Sequence, residues 1–158
     1  MRKFAANYLV AENGDFLKNS ILVAGEDGTV IEFIDTEGNL DEIAQLTFHN
    51  GILIAGYSLV RTNAEISVSE SDHPVRTFVI QEVAGQLQLS IQNLIEIGEQ
   101  VQNQFPEMKI PDILSQINSV LLEDHRFRKE ITPGIFLLVG VDLVGLHFTS
   151  KTRLKKIL

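Results

Sequence analysis

Asn50-Gly51-Ile52-Leu53-Ile54-Ala55-Gly56-Tyr57-Ser58-Leu59-Val60-Arg61-Thr62-Asn63 is a long apolar run of strand formers broken by one internal glycine. Ile, Leu, Val and Tyr fit a pleated, buried surface, and a continuous apolar run bounded by polar residues reads as a core strand rather than a half-exposed one. The chain on either side is organised around this strand.

Upstream, residues 3–10 are rich in strand formers, and Glu12-Asn13-Gly14-Asp15 supplies turn chemistry before a second strand signal at Ser20-Ile21-Leu22-Val23-Ala24. Glu26-Asp27-Gly28 leads directly into Thr29-Val30-Ile31-Glu32-Phe33-Ile34, the pattern of a hairpin, because Asp-Gly accepts the positive φ angles of a tight turn. A second loop at 36–40 is followed by a helical turn from Asp41 to Gln45. Downstream, Glu65-Ile66-Ser67-Val68-Ser69 alternates as a half-buried strand should, and Val75 to Glu82 reads as another strand.

From Gln86 the period changes. Leu87, Ile91, Leu94, Ile95, Val101 and Phe105 lie near one face of a helix running to about Gln104, despite Gly98 at its centre, and Pro106 ends it. Ile110-Pro111-Asp112 opens a second helix with proline in its first turn and Ile113, Leu114, Ile117, Val120 and Leu121 as its apolar stripe. Thr132-Pro133-Gly134 then precedes a strand at Ile135 to Val139, and Thr152 to Leu158 closes the chain. The order is strands, two helices, strands. The reading is a single α+β domain over 1–158: N-terminal strands in 1–60, a short connection over 61–85, two helices in 86–125, and returning strands in 132–158 that share a sheet with the first.

Composition narrows the function classes. With 44% hydrophobic and 22% charged residues the chain has the make-up of a soluble globular protein. A formal charge of −8 repels a phosphate backbone, and the basic runs Arg126-Phe127-Arg128-Lys129 and Lys151 to Lys156 read as solvated faces, so nucleic acid is not an expected partner. The absence of cysteine removes thiol nucleophiles, disulfides and zinc-thiolate sites. The first eight residues lack the apolar run of a signal peptide and nowhere do about 18 apolar residues run together, so the expected setting is soluble and cytoplasmic, away from membrane.

The run Asn50 to Tyr57 resembles the start of the amidohydrolase superfamily of metal-dependent hydrolases and deaminases, where a small β-sandwich precedes an N-G-x-L-V-P-G-F segment leading into the first barrel strand. The C-terminal part, about Leu87 to Leu158, resembles the end of the same enzymes in Phe105-Pro106-Glu107 before a helix, Glu123-Asp124 near Arg126-Phe127, Pro133-Gly134-Ile135 before a strand, Val141-Asp142-Leu143, and the closing Thr152 to Ile157. The resemblance implies the composite β-sandwich of that family, built from both ends of the chain. It does not extend to the chemistry. In the family the glycine-aromatic pair is followed by His-x-His, whose imidazoles hold the metal that activates water. Those positions fall at Arg61 and Asn63, and the barrel-end aspartate falls near Gln81. A guanidinium does not ligate a cation, and a Gln does not accept the proton. Length agrees, since a (β/α)₈ barrel needs about 250 residues and only Thr62 to about Ile80 separates the two matched ends. No TIM barrel is expected, and no cofactor.

The remaining candidates are few. Asp72-His73 and Asp124-His125 offer two imidazoles and two carboxylates, a set adequate for zinc if the two loops meet, and this is the basis of an alternative reading as a small ligand-binding module or metal-dependent hydrolase with a new site. Neither pair has the spacing that sets two histidines on one helix face. Glu65, Glu70 and Asp72 read as a solvated acidic loop. His49 and His147 read as partly exposed strand residues. No catalytic residue is assigned. Removing the barrel from such a sandwich exposes an apolar face, which the first helix and the segment Ile52 to Val60 are expected to help cover and self-association to complete. The expected role is a non-catalytic interaction or structural protein, a homo-oligomer, with a full-length amidohydrolase as a further partner.

Overall fold

The computed structural model describes residues 1–11, 14–37, 45–61, 91–123 and 127–158. The Asp-Gly signal is a hairpin: β3 (Ser20–Ala24) and β4 (Val30–Asp35) pair antiparallel. Gly28 takes φ +82 in the turn. Both carboxylate oxygens of Asp27 accept hydrogen bonds from Thr29, from its N–H at 3.0 Å and its hydroxyl at 2.8 Å, and these bonds hold the Asp27 carboxyl below its ordinary range. Upstream, β1 (Arg2–Val10) pairs antiparallel with β3 and, at its far end, with the two-residue β2 (Phe16–Leu17).

Residues 50–61 of the opening stretch belong to β5 (Leu46–Arg61), a strand of 16 residues. It lies between β1, to which it is parallel, and β6 (Phe127–Val139), to which it is antiparallel. Adding β7 (Arg153–Lys156) on β6 gives the order β4-β3-β1-β5-β6-β7, a single hydrogen-bonded sheet with no barrel closure among the described residues. The two ends of the chain therefore share a sheet, as their strand signals implied, and the fold is mixed α and β.

Two irregularities shape β5. Between Ala6 and Tyr8 of β1 the partner advances from His49 to Ile52, so β5 carries one residue more than β1. Gly51 takes φ +140 there, its N–H donates to Asn7 Oδ1 at 2.7 Å, and a Cβ would fall 2.3 Å from the Leu138 carbonyl oxygen. Further along, Ala55 pairs with Ile135 but Tyr57 with Ile131, so the surplus lies on β6 around Thr132 to Gly134. Gly56 sits against this bulge, where a Cβ would meet the Thr132 carbonyl at 2.9 Å. The strand expected to begin at Ile135 in fact begins at Phe127. The bulge accounts for the difference: it accommodates Pro133, which lacks a ladder donor, and Gly134 at φ +128, without ending the strand.

The sheet buries apolar residues on both faces. On one, Val10, Ile52, Ile54, Phe136 and Leu138 pack with the helices. On the other, Phe4, Ala6, Leu9, Leu22, Leu53, Ile135 and Leu137 form a second core, sealed at its edges by half-buried Val30, Phe33, Ile157 and Leu158. The sheet curls over this second core until the β3–β4 turn reaches β6: the N–H of Gly134 donates to the Gly28 carbonyl at 2.9 Å, and that of Ile135 to the Leu158 carbonyl at 3.0 Å.

α1 (Leu94–Gln104), entered through a 3-10 turn at Ile91–Asn93, and α2 (Ile110–Glu123) cover the first face. Of the expected stripe, Ile91, Leu94 and Val101 are buried; Ile97, not Ile95, fills the remaining core position, and Ile95 is only half-buried. Complete burial of a side chain of this size contributes about 1.5–3 kcal/mol. Residues 86–90 of the expected helix lie outside the described residues, and the helix proper starts at Leu94. Ile52 and Ile54 belong to the sheet face that the helices cover, where the expectation had them among the covering residues. Gly98 has a packing cause: the Phe148 ring lies so close that a Cβ would sit 2.5 Å from its Cε2 and Cζ. α2 begins at Ile110 as its proline and stripe implied, with Ile113 and Leu114 buried and the Lys109 N–H bonded to Asp112 Oδ2 at 3.2 Å. The strand signals at 65–69 and 75–82, and most of the helical turn at 41–45, lie outside the described residues. No described helix is long and apolar enough to cross a membrane.

Candidate functional site

Among the described residues a depression of about 250 Å³ lies between the last turns of α1 and the segment 148–150, lined by Glu99, Gln102, Asn103, Phe148, Thr149 and Ser150. Its shape comes from a clamp. The Gln102 amide donates from Nε2 to the Phe148 carbonyl at 2.9 Å and accepts the Phe148 N–H at Oε1 at 2.8 Å, so one side chain replaces a strand partner. Next to it Thr149 donates its hydroxyl to the Gly140 carbonyl and its N–H to Thr152 Oγ1 at 2.8 Å, while Lys151 N–H bonds back to Thr149 Oγ1 at 3.1 Å. The best-placed polar groups of the depression are thus spent on holding the 148–152 segment to α1 and to the end of β6. What they leave for a ligand is a carboxylate at Glu99, an amide at Asn103 and a hydroxyl at Ser150, groups able to hydrogen-bond but not arranged as a nucleophile with its base.

Asp142 and His147 face each other in a short β-bridge, with Asp142 N–H on the His147 carbonyl at 3.0 Å and the reverse bond at 3.3 Å. Asp142 Oδ1 accepts the N–H groups of Gly145 and Val144, each at 3.0 Å. These bonds, more than the nearby His147, hold the Asp142 carboxyl below its ordinary range. They make Asp142 the organiser of a turn.

His49 lies on β5 over the second core, its ring 6.0 Å from that of Phe4, with Nε2 buried and without a hydrogen-bond partner among the described residues. Burial, and secondarily the charge of Lys155, lowers its pKa. Burial alone pushes the Tyr57 hydroxyl far up, so this residue of the opening stretch is a neutral core phenol. His49 and His147 are both partly exposed, in keeping with their sequence context.

Arg61 closes β5 opposite Phe127, at the end of an antiparallel ladder. Asn63, Gln81, Glu65, Glu70, Asp72, His73, Asp124 and His125 lie outside the described residues. Among the described residues no three His, Asp or Glu side chains gather as metal ligands would. The Gln102 clamp was not legible in the sequence, because its two partners are 46 residues apart and neither belongs to a motif.

Comparison of the chain with known protein families, curated proteins and solved structures finds no match.

Proposed function

We propose that the chain is a barrel-less, non-catalytic relative of the amidohydrolases that acts as an interaction or structural protein and associates with copies of itself. The observation that carries this reading is the path of β5. In the enzymes this segment opens a parallel barrel; here it runs to Arg61 antiparallel to β6, a strand from the last third of the chain. A single sheet that takes strands from both chain ends and curls over a second apolar core supports the reading of a composite domain without its barrel. The interaction role draws on large apolar side chains left on three different strands: Ile31, Phe48 and Ile131 are each at least half exposed. A full-length amidohydrolase, sharing the sandwich, is a second partner that co-purification from the native host tests.

The reading is tested on the chain purified without added metal, by elemental analysis and solution mass together. A metal-free oligomer is the expected result. Stoichiometric zinc that disappears on His73→Ala and His125→Ala substitution overturns the non-catalytic assignment, and a clean monomer at high concentration overturns self-association.

A further inference from the structure

Among the described residues β4 and β7 lie at the two ends of the strand order, and the two-residue β2, which pairs only with β1, stands off this path. Among the described residues β4 pairs only with β3, and β7 only with β6. A margin presents a row of backbone donors and acceptors that another strand can complete, and charged side chains are one of the means by which proteins manage this hazard. Here the charges are of opposite sign on the two margins. β4 carries Glu32 and Asp35, both exposed, and continues to exposed Glu37. β7 carries Arg153, Lys155 and Lys156, all exposed. Beside its carboxylates β4 also leaves Ile31 and Ile34 in solvent, 52% and 37% exposed, so its margin is not simply a solvated face.

We propose, on the reading that the chain self-associates, that β4 of one copy pairs with β7 of a second copy, so that the sheet continues from molecule to molecule. Side chains facing one another across paired strands stand about 5 Å apart, where like charges repel and opposite charges attract. Pairing β4 with β4 sets Glu32 and Asp35 against their own copies, and pairing β7 with β7 opposes three cations to three. Both symmetric arrangements are penalised; β4 against β7 alone matches signs and places Ile31 and Ile34 under a neighbour. Each copy then uses two different surfaces, a head-to-tail contact that closes into a ring or grows as a filament according to the rotation between copies. Because the matched charges are exposed, the contact weakens as salt rises.

Sedimentation velocity on the full chain and two charge-reversed forms tests this. One form carries Glu32→Lys and Asp35→Lys, making both margins basic; the other carries Lys155→Glu and Lys156→Glu, making both acidic. All four positions are exposed, and circular dichroism confirms that the variants fold. The expected result is that the unaltered chain associates more strongly at about 50 mM than at about 500 mM salt. Each variant alone associates about tenfold more weakly or worse, and an equimolar mixture of the two recovers association, since each now offers the margin that the other lacks. Association of the unaltered chain that both variants retain overturns the β4–β7 contact and leaves self-association standing through another face. Variants that fail alone and also fail when mixed overturn the contact as well. A monomeric unaltered chain overturns both this contact and the reading on which it rests.

Discussion

Replacing Gly98 by alanine sets two effects of known sign against each other. In an exposed helix interior the change stabilises by about 1 kcal/mol, because glycine loses more backbone freedom on folding. At this position the new methyl falls 2.5 Å from Cε2 and Cζ of Phe148, nearly an ångström inside ordinary contact. The ring has little room to retreat: Phe148 is 5% exposed, and both its backbone N–H and carbonyl are fixed by Gln102. Overpacking of a closed core costs about 1–3 kcal/mol, so the net effect of Gly98→Ala is a destabilisation of about 0–2 kcal/mol. Phe148→Leu deletes the two atoms closest to the methyl, leaving a Cδ carbon where Phe148 Cδ2 stands at 3.3 Å. In that background only the helical gain remains, and Gly98→Ala is expected to stabilise by about 1 kcal/mol, which makes the coupling between the two sites about 1–3 kcal/mol. Urea unfolding of the four proteins, with free energies extrapolated linearly to water, measures this coupling. If Gly98→Ala stabilises the protein by the same amount with Phe148 present as with leucine, the packing cause of this glycine is refuted.

Gly51→Ala is expected to cost about 3 kcal/mol or more, since it forces a Cβ at φ +140 to within 2.3 Å of a backbone oxygen that the sheet holds in place; thermal or urea denaturation checks it, and a near-neutral effect refutes the bulge geometry. His49→Phe is expected to flatten the dependence of stability on pH. Because the folded state lowers the pKa of His49 from 6.5, its contribution is complete above that value and is lost as pH falls through the lower folded value, where the unfolded chain takes up the proton first. Urea titrations at several pH values from neutrality downward are therefore expected to show a smaller loss in the phenylalanine variant than in the parent; equal losses refute the assignment.

Among the described residues, the order and type of the main elements were legible because they rest on local physics. The hairpin at β3–β4 follows from Asp27-Gly28, the start of α2 from Ile110-Pro111, and burial of Ile91, Leu94 and Val101 in the first helical segment and of Ile113 and Leu114 in α2 from a period of 3.6 residues. The strand from Asn50 onward was equally plain as a strand. Its function was not, because a run of apolar residues leading to a glycine and an aromatic reads the same whether it opens a barrel or crosses the middle of a sheet.

Only the tertiary structure decided which neighbours that strand has. Its pairing with β1 and β6 depends on residues distant along the chain, as the bond from Gly51 to Asn7 across 44 positions illustrates. The same separation explains why Gly98 read only as a glycine at the centre of a helix when it is the seat of Phe148, and why nothing near Gln102 announced that it fastens the segment that forms the depression. Turn and helix signals act through neighbours within about four residues, so the sequence determined the pieces. Bulges, close approaches and margins arise where distant segments meet, and they determined how the pieces were used.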